Sequence, residues 1–467
     1  MYSIIYMNKY INYHKDNMDN DSKLNDSKLN DSKLNDFKLN DFKLNDFKLN
    51  DFKLNDFKLN YFKINDFKLN DSKLNDSKLN DFKLNGDRSM TGGTQKKNEW
   101  EKEFKIDCPN YEYVPSVLPP VKRIIAIGDI HGDLNLAIRS FKLAKLIDDN
   151  YNWIANPKNT IVVQVGDQID SCRPIAGSYD CHSTKKADDK AEDISVLIFF
   201  NKMHQKALIH GGAVYSLLGN HELMNAQGKF YYVSHENFYN YKFVDSDGNT
   251  YIGPDGRIST FKPGGAISNM LACTRLSSLI IGSTLFVHAG ILPIIAGEFS
   301  HLNRDDKLQY LNKIVRKWLL NTLSTSDTKT KNLIIDNIDT SPFWTRIFGS
   351  IPNDSGINDN YCYKSVKPSI EILQIGQLVV GHTPQILSNK KGINGTCYKS
   401  DGSHALYRID GGFSHAFKFL VKANPIQILE IIDDTKFNII TENNVTESTS
   451  VSVNTKSKGK INYRMFY

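Results

Sequence analysis

Five apolar runs, each cut by a glycine close to a side chain able to bind metal, constrain this chain more than any other feature. RIIAI precedes Gly128 and Asp129, IVVQV precedes Gly166 and Asp167, and VYSLL precedes Gly219 and Asn220. TLFV precedes His288, and LVV precedes Gly381 and His382. Short runs of β-branched and aliphatic residues ended by glycine predict buried strands that stop in tight turns. In an open α/β sheet, the carboxyl ends of the strands are where ligands bind. The pattern therefore delivers Asp129, His131, Asp167, Asn220, His288 and His382 to one rim. Between these runs, 133–147, 192–210 and 305–323 have helical spacing, with Leu308, Leu311, Val315 and Leu319 on one face of the last. Strand–helix alternation predicts an α/β sandwich.

Much of the 467-residue chain stands apart from this pattern. After an N-terminal segment, 1–20, residues 21–85 are thirteen copies of the unit D-[S/F]-K-L-N, with Tyr61 and Ile64 as the only other changes. Five residues match neither the helical nor the strand period. One reading is a flexible low-complexity tract. Another is a pentapeptide-repeat β-solenoid, whose pattern N-D-F-K-L resembles, and a third is a partly helical or self-associating tract. Residues 86–105 read as a linker, 106–436 as the compact domain and 437–467 as a disordered tail rich in Ser, Thr, Asn and Lys. The polar stretches 171–190 and 234–265 read as loops at the site rim.

The net charge of +6 is spread out, and the one dense Lys array is matched by Asp, so nucleic acid is not an expected partner. There is no apolar stretch of about 18 residues, which excludes a spanning helix, and no membrane partner is expected. The six cysteines form no CxxC pair and are sparse, which leads to the expectation of a reduced, intracellular, cytoplasmic protein. The oligomeric state stays open.

The rim residues suit metal-assisted hydrolysis. Two ions roughly 3.5–4 Å apart need a carboxylate that bridges them and further N and O ligands on each. Asp129 and His131 are two apart on a strand end, and Asp167 is the natural bridge. Asn220, His288 and His382 complete a second position. Imidazole mixed with carboxylate favours Mn, Fe or Zn. His221 follows Asn220 and points elsewhere, towards a leaving group, as a general acid near neutral pH must. Asp170 is placed to hold that imidazole protonated.

The motif set GDIHGD (128–133), GDQID (166–170), GNHE (219–222), HAG (288–290) and GHT (381–383) resembles the calcineurin-like metallophosphoesterase superfamily. Within it, it resembles the phosphoprotein phosphatases. GNHELMNAQGKFYYV (219–233), DTSPFWTRIFG (339–349) and VVGHTPQ (379–385) are similar to the Shewanella-like protein phosphatase branch. The resemblance covers 106–415. It implies a sandwich of two mixed β-sheets flanked by helices, two metal ions and a phosphorylated protein substrate. Asp129, His131 and Asp167 then hold one ion, and Asp167, Asn220, His288 and His382 the other. His221 matches the general acid and Asp170 its partner.

The chain also departs from that pattern. The family's Asp-Arg-Gly is Asp170-Ser171-Cys172, and an arginine expected before Tyr232 is Tyr231. Arg173 and Arg346 are the remaining candidates to grip phosphate, which arginine does with a two-pronged geometry. Two other functions compete: a diadenosine-polyphosphate or nucleotide hydrolase, and a catalytically weak pseudophosphatase used for binding.

Overall fold

The computed structural model describes residues 91–174, 180–386, 388–418 and 425–442, with side chains from Glu99 onward. The segment 1–20, the repeats 21–85 and the tail beyond 442 lie outside the described residues.

Two six-stranded mixed sheets form the centre. Their strands, in chain order, are β1 Val117–Leu118, β2 Arg123–Ile127, β3 Ile161–Gln164, β4 Ala213–Leu217, β7 Arg275–Leu276, β8 Ser278–Ile281, β9 Thr284–Val287, β10 Gln377–Val380, β11 Asn394–Tyr398, β12 His404–Arg408, β13 Gln427–Ile432 and β14 Lys436–Thr441. A separate hairpin pairs β5 Lys242–Val244 with β6 Thr250–Ile252. One sheet has the order β1-β8-β9-β10-β12-β11, the other β14-β13-β2-β3-β4-β7. In the second, β2, β3, β4 and β7 run parallel.

The strands are apolar without alternation because both faces are covered. Ile124 and Ala126 of β2 pack with Leu279, Phe286 and Val379 of the opposite sheet. Ile125 and Ile127 face outward, with Phe141 of α2 (Leu134–Leu143) and Phe200 of α3 (Asp193–Leu208). On the far side, Ile280, Leu285 and Leu378 meet Leu308, Leu311, Val315 and Leu319 of α9 (Arg304–Leu319). Successive strand residues thus serve two different cores.

Four expectations change in detail. First, of the stretch 86–105 read as a linker, 86–90 lie outside the described residues and 91–105 belong to a helix, α1 (Thr91–Asp107). Trp100, Phe104 and Cys108 recur at four-residue spacing. Trp100 Nε1 donates to Asp306 Oδ1 at 2.8 Å, the Arg316 guanidinium lies 5.3 Å from the Phe104 ring, and Asp107 pairs with Arg316 and Lys317. These contacts lay α1 on α9. Second, no cysteine is free. Cys108 pairs with Cys273, Cys172 with Cys181 and Cys362 with Cys397. Partners up to 165 residues apart in the chain are brought together only by the fold, so spacing cannot reveal them. The pairings remove the argument from free thiols to a reducing compartment. Third, 234–265 contains α5 (His235–Tyr239), the β5–β6 hairpin and α6 (Gly253–Phe261). Fourth, residues 437–441, read as part of the tail, belong to β14 and pair with β13. Among the described residues no helix is long and apolar enough to cross a membrane.

Candidate metal centre

The turns after β2, β3, β4, β9 and β10 converge. His382, from the turn after β10, donates its backbone N–H to Asp129 Oδ2 at 3.0 Å, so the rims of the two sheets meet there. The glycines permit that approach. A Cβ at Gly219 would lie 2.2 Å from Asp167 Oδ1, and one at Gly381 would lie 2.2 Å from Asp129 Oδ1. His131, Asp167, Asp170 and His382 have φ of 49, 54, 73 and 66°. Non-glycine residues held in that region cost on the order of 1–3 kcal/mol each and cluster where function demands a particular geometry.

Asp167 is central. His131, Asp167 and His221 present ligand atoms within 4.8 Å of one another, as do Asp167, His288 and His382. Asp167 Oδ2 lies 3.3 Å from His288 Nε2, 3.9 Å from His131 Nε2 and 3.8 Å from His221 Nε2. Asp129 Oδ2 is 3.9 Å from His131 Nε2. Asn220 Oδ1 lies 3.0 Å from His288 Nε2 and 2.8 Å from His382 Nδ1. The six expected ligands are therefore one buried cluster. One compact grouping contains His221 where the sequence reading has Asp129.

The donor set fits metal ions. Each of the three imidazoles has one nitrogen at a backbone carbonyl, which turns the other inward. His131 Nδ1 is 3.4 Å from Ile169 O, His288 Nδ1 2.8 Å from Val165 O and His382 Nε2 2.9 Å from Trp344 O. Metal-binding histidines are oriented in this way. Burial, then Arg173 and His221, hold the His131 imidazole well below its usual range. Burial, Arg346 and His288 do the same for His382. Neutral imidazole is the form that ligates. Burial opposes ionisation of Asp167, yet His288 and His221 hold its carboxyl well below the usual range. Asp129 goes the other way, pushed up by burial and by the charges of Asp410 and Asp167. Carboxylates crowded this closely in a buried site call for a cation.

Three supporting residues are not flagged by spacing. Glu222 accepts from the backbone N–H of Gly219, Asp167 and Gln168 at 2.7, 3.0 and 2.8 Å and so pins the Asp167 turn. In sequence it reads only as the last letter of GNHE. Asp410 is buried in the turn after β12, with Oδ2 lacking a hydrogen-bond partner, and burial pushes its carboxyl up to about 6. A D-G-G following an apolar run is its only signal. Arg257 has none.

His221 Nδ1 lies 2.8 Å from Asp170 Oδ2, as the expected acid and partner should. Tyr232 flanks the His221 ring, with centroids 5.0 Å apart. Arg173 is inside the site. Its Nη2 donates to His131 Nε2 at 2.8 Å, and its guanidinium lies 4.5 Å from the Phe417 ring and 5.4 Å from that of Tyr232. Arg346 is exposed at the rim, where its Nη1 donates to His382 O at 3.4 Å. Ser171, where the family pattern has arginine, is buried and accepts from Asn237 Nδ2 at 3.1 Å. Tyr231 is 48% exposed.

The family model for calcineurin-like phosphoesterases matches residues 122–385, more than half of the chain, and the chain belongs to that family. It is a phosphoesterase-type hydrolase, and its family is metal-dependent. Within the family it is similar to Shewanella-like protein phosphatase 2 of Arabidopsis thaliana, 25% identical over 69% of this chain and 78% of that protein. It also resembles Shewanella-like protein phosphatase 1 of Plasmodium berghei, 30% identical over 41% of this chain and 45% of that one. An uncharacterized protein of Acanthamoeba polyphaga mimivirus is 54% identical over 52% of this chain and 98% of its own length. Among solved structures, a cold-active protein-tyrosine phosphatase of a psychrophilic Shewanella species has a TM-score of 0.48 at 18% identity, covering 72% of this chain and 84% of that one.

Proposed function

We propose that this protein is a phosphomonoesterase that removes phosphate from phosphoproteins at a dinuclear metal centre. The observation that carries the reading is Asp167, which is common to both histidine groupings. Asp129, His131 and Asp167 would hold one ion, and Asp167, Asn220, His288 and His382 the other. Mn, Fe or Zn suits this mixture of imidazole and carboxylate. Such ions would polarise the phosphoryl group and activate water for attack.

The chain's own residues do the rest. The Asp170 carboxylate accepts from Nδ1–H of His221, which leaves Nε2–H to protonate the departing oxygen. Arg173 and Arg346 would grip phosphate oxygens. Nε2 of His131 has one lone pair and cannot serve both Arg173 and an ion. With His131 Nε2 serving as a ligand, the Arg173 guanidinium, which lies against the Tyr232 and Phe417 rings, would be free to donate to a phosphate oxygen. The phosphoprotein substrate is supported by the relatives named as protein phosphatases.

The test is a turnover assay of the full chain loaded with Mn, comparing phosphoserine, phosphothreonine and phosphotyrosine peptides with diadenosine tetraphosphate. Preference for the peptides with close to two ions per chain is expected. Preference for the dinucleotide would replace this reading with the nucleotide hydrolase, and metal binding without turnover would replace it with the pseudophosphatase.

A further inference from the structure

Behind the His221–Asp170 pair lies Arg257 of α6, with no exposed surface. A buried guanidinium costs several kcal/mol unless its donors are met. Here they are met by groups that converge on Asp170. Nη2 donates to Asp193 Oδ2 at 2.9 Å, to Asn225 Oδ1 at 2.8 Å and to Asp170 Oδ1 at 3.3 Å. Nε donates to Asn225 Oδ1 at 3.0 Å, and Nη1 to Asn237 O at 3.2 Å. The Phe261 ring lies 4.8 Å from the guanidinium carbon.

The two side chains that Arg257 holds in turn hold Asp170. Asn225 Nδ2 donates to Asp170 Oδ1 and Oδ2 at 3.0 and 3.1 Å and to His221 O at 2.9 Å. Asp193 Oδ1 accepts the Asp170 backbone N–H at 3.1 Å. A carboxylate turns readily about its last torsion, which is broad. This one is tied at its backbone and at both oxygens, and Oδ2 is left facing His221 Nδ1.

We propose that Arg257, with Asp193 and Asn225, is a positioning residue for proton donation: it holds the Asp170 carboxylate in the one orientation that keeps His221 aimed at the leaving group. The inference rests on His221 being the proton donor. An ion pair serving stability alone needs only Asp193. The bonds from Arg257 to Asp170 and to Asn225, and from Asn225 on to Asp170 and His221, are what link this arginine to the acid. The segment 253–261 then belongs to the site through its support, although it reaches no expected metal ligand.

The experiment uses the full chain loaded with Mn, and follows kcat, KM and bound metal. The substrates are a phosphoserine peptide, with a poor leaving group, and 4-nitrophenyl phosphate, with a good one. Misaiming a proton donor costs about 10- to 100-fold on the first and much less on the second. Arg257→Lys keeps the charge but cannot bridge Asp193, Asn225 and Asp170 together. It should show that split, with KM and metal content as in the parent. Equal loss on both substrates, loss of metal, or no change overturns the positioning role. If Arg257→Lys lacks a cooperative melt, Asp193→Asn is read by the same criteria. Failure of both variants to fold makes the role structural and ends the proposal. His221→Ala separates the two levels. No split in His221→Ala removes the acid assignment itself, whereas a split there that is absent in Arg257→Lys removes only the role of Arg257.

Discussion

The strand-end rim and the arginine-bearing side of the same site are built differently. At the rim, each expected ligand hangs on a turn at the end of a buried strand, and two sheets packed through Ile124, Phe286 and Val379 set the spacing. On the other side, Arg173 lies next to the Cys172–Cys181 bridge, Arg346 comes from the turn after Trp344, and Arg257 from the helix Gly253–Phe261. Strand ends leave little freedom, because moving one ligand means moving a core strand. Loops can change their residues and still reach the same space. Position 171 can therefore carry a serine, while the six donors at the rim lie together in one buried cluster.

Asp167→Asn is the sharpest way to break the contrast. If Asp167 joins the two positions, the variant loses binding of both ions, and turnover falls by more than about 10³-fold. Elemental analysis and a turnover assay read this. Retention of metal and activity would mean that the rim is not built around Asp167.

His221→Ala probes the place where the two regions meet. It should keep its metal and lose about 10²- to 10⁴-fold in kcat on an alkyl phosphate, with a much smaller loss on an aryl phosphate. Comparable losses on both would move His221 from proton donor to ligand.

The arginines rank next. Arg173→Ala should lower kcat/KM by about 2–3 kcal/mol, because its guanidinium is partly buried against the Tyr232 and Phe417 rings. Arg346→Ala should cost about 1 kcal/mol, because that side chain is exposed and screened by water. The reverse order would place the grip at the Trp344 turn. Ser171→Arg should not restore a family-like clamp. The serine faces Asn237 in a buried position, so overpacking should cost about 1–3 kcal/mol of stability, read as a lower Tm.

The smallest effect concerns the edge of the rim. His415 Nδ1 lies 2.9 Å from Asp133 Oδ2. Burial opposes both charges, yet the pairing holds Asp133 below 3.8 and His415 above 6.5. The His415 contribution is complete below 6.5 and fades as pH rises through its raised pKa. The Asp133 contribution is complete above 3.8 and fades as pH falls through its depressed pKa. The pair therefore stabilises most between those two values. His415→Ala should lower stability, read as Tm, more in that window than at alkaline pH; the loss should be no more than about 1 kcal/mol, because the histidine side chain is 38% exposed.

The amino-acid sequence by itself determined the sandwich and which six side chains gather at its rim. Four- to six-residue runs rich in β-branched residues and cut by glycine read as strands, and a glycine beside each donor marks a turn where backbone and side chain come close. These signals lie within a few residues of each other. Tertiary structure alone decided the rest. It paired Cys108 with Cys273, laid α1 on α9 and set Ser171 towards Asn237. It also brought Arg257 beneath Asp170, 87 residues away in the chain. A buried arginine has no periodicity and no motif. Its partners are chosen by which segments the two sheets and their insertions press together, and local sequence carries no record of that.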